Sequence, residues 1–333
     1  MGGRPVLAYK NKSITIGLTF LLLVIAVILS IALGSVKYSP FEIIAALVGN
    51  GGAVPDTIIW DIRIPRVVLA VIIGANLAIS GALLQAVMNN PLADPGLTGV
   101  SSGAAVSVLF ILLVMPSYSS FVPAAAIIGG TVAAIMVYAL AWKKKGLSPV
   151  RVILSGVAVN SVFGGIIGLL SLLYSDKLPA ALQWLNGSMS GKGMGDVTMI
   201  LPYSILGWIA AIFCIRQANV LRLGEQAALN LGENVNRIRI VLSFTAVYLA
   251  GVSVATVGMI GFVGLVVPHM ARLLVGSDYR NMIPMSIGLG ALVLLVADTL
   301  GRTLFAPMDI PAGIVMAVVG GPYFLYLMRK GDM

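Results

Sequence analysis

Predominantly apolar runs recur along the chain at approximately 14–34, 67–88, 96–115, 121–142, 152–173, 197–215, 240–258, 260–275, 282–301 and 311–328. A helix needs about 20 apolar residues to cross roughly 30 Å of hydrocarbon, so the pattern predicts ten membrane helices. The seventh and eighth are the least separated, because residues 240 to 268 carry no charge; Gly258, Gly261 and Gly264 are the places where that run can break. The largest departure from the apolar pattern is Arg216 to Arg239, which holds four arginines and two glutamates between two apolar runs. It is predicted to be a water-facing platform. Within it, Ala227, Ala228, Leu231 and Val235 fall at helical spacings, and Gly224 and Gly232 stand where two short helices would start and stop. Helices under about 12 to 15 residues are marginal in water alone, so this platform is expected to dock against another protein.

Composition agrees with the pattern. A chain of 333 residues that is 59% apolar and 10% charged, with a mean hydropathy of +1.03, is excluded from the soluble class and reads as one polytopic, all-α membrane domain over 1–333. A net charge of +9 would suggest nucleic acid in a soluble protein. Here the basic residues flank the apolar runs, which points to membrane orientation and to no nucleic-acid partner. With the N-terminus inside, Arg4, Lys10, Lys12, Lys143 to Lys145, Arg151, Arg216, Arg222, Arg237, Arg239, Arg272, Arg280, Arg329 and Lys330 are cytoplasmic, against Lys37, Arg63, Arg66, Lys177, Lys192 and Arg302 outside. The asymmetry supports both termini and the 216–239 platform lying in the cytoplasm. The apolar core from Ile14 to Gly34 exceeds the 7 to 15 residues of a cleaved signal and reads as a retained helix. Cys214 stands alone, so no internal disulfide is available.

Candidate chemistry is sparse. Asn186 to Gly193 resembles a phosphate-binding loop only superficially: asparagine replaces its first glycine, and glycine, not Ser or Thr, follows Lys192. The only histidine, His269, cannot build a metal or haem site from one chain. No catalytic residue, metal site or cofactor site is assigned. Asp298 is the only acid inside a span, and Arg302 four residues on suggests a local ion pair. An ion-coupled secondary carrier, the rival of another class, usually buries unpaired carboxylates or histidines at mid-membrane, and their scarcity argues against it. Along 152–173, Gly156, Asn160, Gly164 and Gly168 form a small stripe. It reads either as close helix packing or as a pathway wall, with Asn160 and Ser161 facing the solute.

Several longer motifs then converge. The first half carries Arg63-Ile-Pro-Arg66, then Gly74-Ala-Asn-Leu-Ala-Ile-Ser-Gly81 through Gln85, then Asn90-Pro-Leu-Ala-Asp-Pro-Gly-Leu-Thr-Gly-Val-Ser-Ser-Gly-Ala104. The second half carries Leu223-Gly224-Glu225 with Leu231-Gly232, then Gly261-Phe-Val-Gly-Leu-Val-Val-Pro-His269, Ala297-Asp-Thr299 and Ile310-Pro-Ala-Gly313. In this order they resemble a FecCD-type permease, the membrane subunit of binding-protein-dependent ABC importers for iron-siderophores, haem and cobalamin.

The resemblance covers nearly the whole chain and implies a cobalamin-importer-permease-like fold of about ten helices per subunit. It also implies a transport subunit that hydrolyses nothing itself, in the bacterial cytoplasmic (inner) membrane. The implied partners are a second permease subunit, expected to be a copy of this chain, two cytoplasmic ATPase subunits that hold ATP and Mg, and an extracytoplasmic binding protein. The expected solute is an iron-siderophore, with haem or cobalamin as alternatives. By the same resemblance Leu223, Gly224, Glu225, Ala228, Leu231 and Gly232 form the ATPase coupling segment, the gate lies at the 143–151 turn that holds Ser148, and Arg63, Arg66 and Arg302 dock the binding protein; the stripe reading adds Asn160, Ser161 and Gly164 to the pathway. Two departures, Thr98 where leucine is common and Met316 where threonine is common, are expected near the pathway.

Overall fold

The structure, a computed structural model, describes residues 11–34, 41, 45, 52, 56–143 and 146–330. Five of the charges used above for orientation, Arg4, Lys10, Lys37, Lys144 and Lys145, lie outside the described residues. The described chain is helical, with one two-strand hairpin. The helices are α1 (Lys12–Ala32), α2 (Ile64–Met88, entered through a π-helical turn at Ile58–Arg63), α3 (Val100–Leu109), α4 (Val122–Ala141), α5 (Pro149–Leu173), α6 (Leu178–Leu185), α7 (Met194–Phe213), α8 (Ile215–Arg222), α9 (Glu225–Asn230), α10 (Val235–Val257), α11 (Val263–Val275), α12 (Tyr279–Thr303) and α13 (Ala312–Lys330). Strands β1 (Trp142–Lys143) and β2 (Gly146–Leu147) pair antiparallel between α4 and α5.

A helix lies on each of the ten apolar runs. Among the described residues seven helices are long and apolar enough to cross a membrane, while Val100–Val114, Val263–Val275 and Ala312–Tyr326 are shorter. The eighth run folds as α11, which has 13 residues, about 20 Å at 1.5 Å per residue. The break before it falls at Gly258, the C-cap of α10, and at Phe262, whose φ of 66° precedes α11. Gly264 is no break point and sits inside α11.

The centre is α2. It is mostly apolar with no exposed polar face, all but three of its 25 residues are buried, and its polar Asn76 and Ser80 bond to Ser204 and the Ala246 carbonyl on neighbouring helices. Helices α7, α10, α11 and α12 surround it. Small residues set two of these approaches: a Cβ on Gly74 would overlap the Gly290 carbonyl of α12, and one on Gly81 would overlap the Gly264 carbonyl of α11. Helix α5 is the opposite case. Only Val152, Gly156 and Val159 are buried by its own chain, so most of its apolar surface is free to meet lipid or a second subunit.

Candidate functional site

The polar platform folds as two short helices, α8 and α9, as the glycine spacing predicts; Val235 belongs instead to the first turn of α10. Helix α8 is held from inside by buried Ala218 and Leu221 and by Asn219. The Asn219 Nδ2 donates to Asp278 Oδ1 at 2.9 Å, and its Oδ1 accepts the Tyr279 N–H at 3.0 Å, which ties α8 to the start of α12. Hydrogen bonds from the Arg280 side chain and backbone N–H hold the Asp278 carboxyl well below the usual carboxylate range. Helix α9 ends in a Schellman turn: Gly232 N–H donates to Leu229 O at 2.9 Å and Glu233 N–H to Ala228 O at 3.1 Å, with Gly232 at φ 76°.

The expected coupling residues divide by what they touch. Leu223 and Leu231 are 56% and 62% exposed, and Leu229, which the motif reading passed over, is 50% exposed. Three exposed leucines thus stand on a charged platform. Glu225 is also outward, whereas Ala228 is fully buried and holds α9 on the bundle. Gly224 and Gly232 shape the two turns.

The gate and pathway residues also divide. Ser148 is the N-cap residue of α5, directly after the hairpin. Asn160 is a brace: its Nδ2 donates to Gly96 O at 3.0 Å and its Oδ1 accepts from Ser102 Oγ at 2.6 Å, fixing α5 against the 94–99 loop. Ser161 is exposed, its hydroxyl bonded back to Val157 O at 2.9 Å. Of the small stripe, Gly156 packs against the Leu97 carbonyl, while Gly164 and Gly168 face open space. The packing reading thus applies at the Gly156 end, and the Gly164–Gly168 end is left uncovered by this chain. Thr98 and Met316 are both buried, and Thr98 bonds Pro95 O at 2.6 Å to close its own turn. The Asn186–Gly193 stretch is a turn-rich loop whose Lys192 pairs with Asp196 at 3.1 Å, and His269 is buried in α11.

At the end of α2 remote from the platform lie Arg63, Arg66 and Arg302. They are 4%, 8% and 8% exposed and engaged within the chain. Arg63 Nη1 donates to Ile31 O at 2.6 Å and Ala32 O at 3.1 Å, and Arg302 donates to Leu33 O at 2.7 Å and to the Ser30 carbonyl and hydroxyl. Both arginines cap the orphan carbonyls at the C-terminus of α1, where a cation is favoured.

Arg66 is clamped between two acids. Its Nε and Nη2 meet Asp298 at 2.8 to 3.0 Å, and its Nη1 and Nη2 meet Asp309 at 2.7 and 2.8 Å. The anticipated Asp298–Arg302 pair exists but is long, 3.8 Å, so the near partner of Asp298 is Arg66 on another helix. Asp309, in the loop after α12, was not singled out by sequence. Partial burial opposes its ionisation, yet hydrogen bonds and charge from Arg66, with help from Ser190 and Arg302, hold its carboxyl below the usual range.

Comparison with known proteins follows the same outline. Residues 22–330 match the FecCD transport family. The Fe(3+)-citrate import system permease protein YfmE of Bacillus subtilis is 38% identical over 321 residues, covering 96% of each chain. The hemin transport system permease protein HmuU of Yersinia pestis is 40% identical over 287 residues, covering 82% of this chain and 83% of its own. A solved inward-facing ABC transporter assigned to the metal-chelate type superposes with a TM-score of 0.83 at 28% identity, covering 96% of this chain and 99% of that one.

Proposed function

The chain belongs to the FecCD transport family and is an ABC importer permease whose ATP hydrolysis resides in separate subunits; from that premise we propose that two copies of it enclose the pathway of an iron-siderophore importer. The observation that carries the permease reading is the match to a metal-chelate transporter over almost the full chain, joined to an apolar docking face on an otherwise polar platform. Relatives of comparable identity are named for iron(III)-citrate and for hemin, which supports an iron chelate, with haem and cobalamin as alternatives. The free face of α5, with Gly164 and Gly168 open, supports a second copy of this chain across the pathway. The membrane is the bacterial cytoplasmic membrane, with both termini and α8–α9 on the ATPase side.

The test is uptake of labelled ferric hydroxamate, ferric citrate and hemin by proteoliposomes holding the permease, its ATPase and its binding protein. ATP-dependent uptake that survives a protonophore is expected, with the hydroxamate fastest; uptake abolished by the protonophore would return the secondary carrier. Gly232→Trp is expected to cut uptake roughly tenfold while hydrolysis continues, because φ near 76° strains any L side chain and the Schellman turn reshapes the docking face. Full uptake in that variant removes α9 from coupling.

Gating at the start of α5 predicts that Ser148→Cys crosslinks across the dimer in the closed-inward state alone; crosslinking in every state would remove the gate from this turn. Docking of the binding protein at Arg63, Arg66 and Arg302 is supported by their shared end of the molecule. With Asp309 half-buried on Arg66, an acidic partner group must displace it. Asp309→Asn is therefore expected to tighten docking several-fold at low salt, and unchanged affinity would separate Arg66 from docking.

A further inference from the structure

We infer that Arg239 is the positioning residue that carries movement of the coupling segment to the gate hairpin, through one guanidinium bonded to both. The inference rests on the permease reading above. Its geometry is continuous. Arg239 Nη2 donates to Glu225 Oε2 of α9 at 2.9 Å, while Nη1 donates to the Leu147 carbonyl of β2 at 3.1 Å. Three residues earlier, on the same face of α10, Asn236 Oδ1 accepts the Leu147 N–H at 3.2 Å. Both backbone polar groups of Leu147 are thus held by the first two turns of α10, and the next residue but one, Pro149, opens α5.

Three further features make this a linkage and not a surface contact. The Arg239 side chain is 11% exposed although Glu225 is 56% exposed, so the bond to Leu147 is shielded while the acid reaches the docking face. Gly146 has φ 101°, and a Cβ there would overlap the Asn236 side chain, so the hairpin can sit this close only with glycine. The residues of α5 buried by its own chain, Val152, Gly156 and Val159, and the bonded Asn160 all lie in the half next to the hairpin, so a shift of Leu147 is passed to the packed part of the helix. Arginine suits the role because its planar fork holds two acceptors in a fixed relation, which a lysine ammonium on a flexible stem does not.

When a partner displaces α9, Glu225 pulls on Arg239, and Arg239 moves the carbonyl that precedes the gate. Loss of that link should separate hydrolysis from transport without removing either the ATPase dock or the gate. The test uses the complete transporter in proteoliposomes, with ATP hydrolysis and ferric hydroxamate uptake read in parallel on Arg239→Met, Arg239→Lys, Glu225→Gln and Glu225→Gln/Arg239→Met. The expected result is hydrolysis within about twofold of the parent and uptake per ATP reduced roughly tenfold in Arg239→Met, with Arg239→Lys reduced in the same direction. Because the two residues share one contact, the double variant should be no worse than Arg239→Met alone.

Unchanged uptake per ATP in Arg239→Met and Arg239→Lys overturns the inference, as does a strictly additive double variant, which would mean that Glu225 acts on the ATPase directly. If Arg239→Met fails to assemble, Arg239→Lys and Glu225→Gln, which preserve charge or shape, decide by the same ratio. A parent protein without ATP-driven uptake would overturn the permease reading itself and is distinguished by that control.

Discussion

Asp298→Ala is expected to be among the most damaging single changes outside the glycine contacts, costing about 3 kcal/mol or more, because it leaves cations buried without their acid. Asp298 is fully buried, Arg66 meets it with three short contacts, and Arg302 stands 3.8 Å away. Asp309 remains on the other edge of Arg66 in the variant, which keeps the loss nearer the lower end of the range for broken buried pairs. Thermal unfolding of the detergent-solubilised permease measures it. Asp298→Asn should recover little, since an amide keeps the shape and supplies no charge. A melting temperature unchanged in Asp298→Ala would show that the cluster is solvated and contributes little to stability. The same cluster changes what charge reversal means here. Arg66→Glu would place a third acid between Asp298 and Asp309, so it is expected to unfold the end of α2 before any effect on docking can be read.

Gly81→Val should be comparably severe. The Cβ position at Gly81 is occupied by the backbone of Gly264, whose carbonyl cannot move without separating α2 from α11. Overpacking typically costs about 1 to 3 kcal/mol, and a backbone obstacle at the centre of the bundle puts this case at the upper end or beyond. Even Gly81→Ala should lower the yield of folded protein. Gly168→Ala is the control: it has nothing within 4 Å in its own chain, and the isolated subunit should tolerate it. Equal melting of Gly81→Val and the parent would mean that the two helices do not meet through these glycines in solution.

Much of the membrane architecture was legible because hydrocarbon imposes a length and a composition on every crossing segment. All ten apolar runs became helices, and Gly224, Gly232 and Gly258 sit at the ends the spacing predicted, since these turns use backbone angles that glycine readily supplies. The shortness of α11 was less legible. An apolar run looks alike whether it crosses the membrane or stops halfway, and only Phe262 at positive φ and the packing of Gly264 on Gly81 show where the helix begins.

Site residues were legible as types and positions, less so as partners. The sequence places Arg63, Arg66 and Arg302 near the ends of apolar runs and by itself names one partner, Asp298 for Arg302. Their partners, the carbonyls of α1 and the carboxylates of Asp298 and Asp309, are far along the chain, and no local periodicity announces a contact between Arg66 and a residue 243 positions away. Arg239 was legible as one basic residue among many on the platform, and Asn160 as one polar residue in an apolar stripe; the fold made the first a bridge to Leu147 and the second a brace on Gly96. The sequence alone determined that this is a many-helix membrane protein with a polar platform between two apolar runs, because burial in lipid constrains composition residue by residue, and its ordered motifs carried the family resemblance. Only the tertiary structure decided which charges are satisfied internally and which surfaces remain for partners, because a guanidinium's role is set by the acceptors that folding brings within hydrogen-bond reach, about 3 Å.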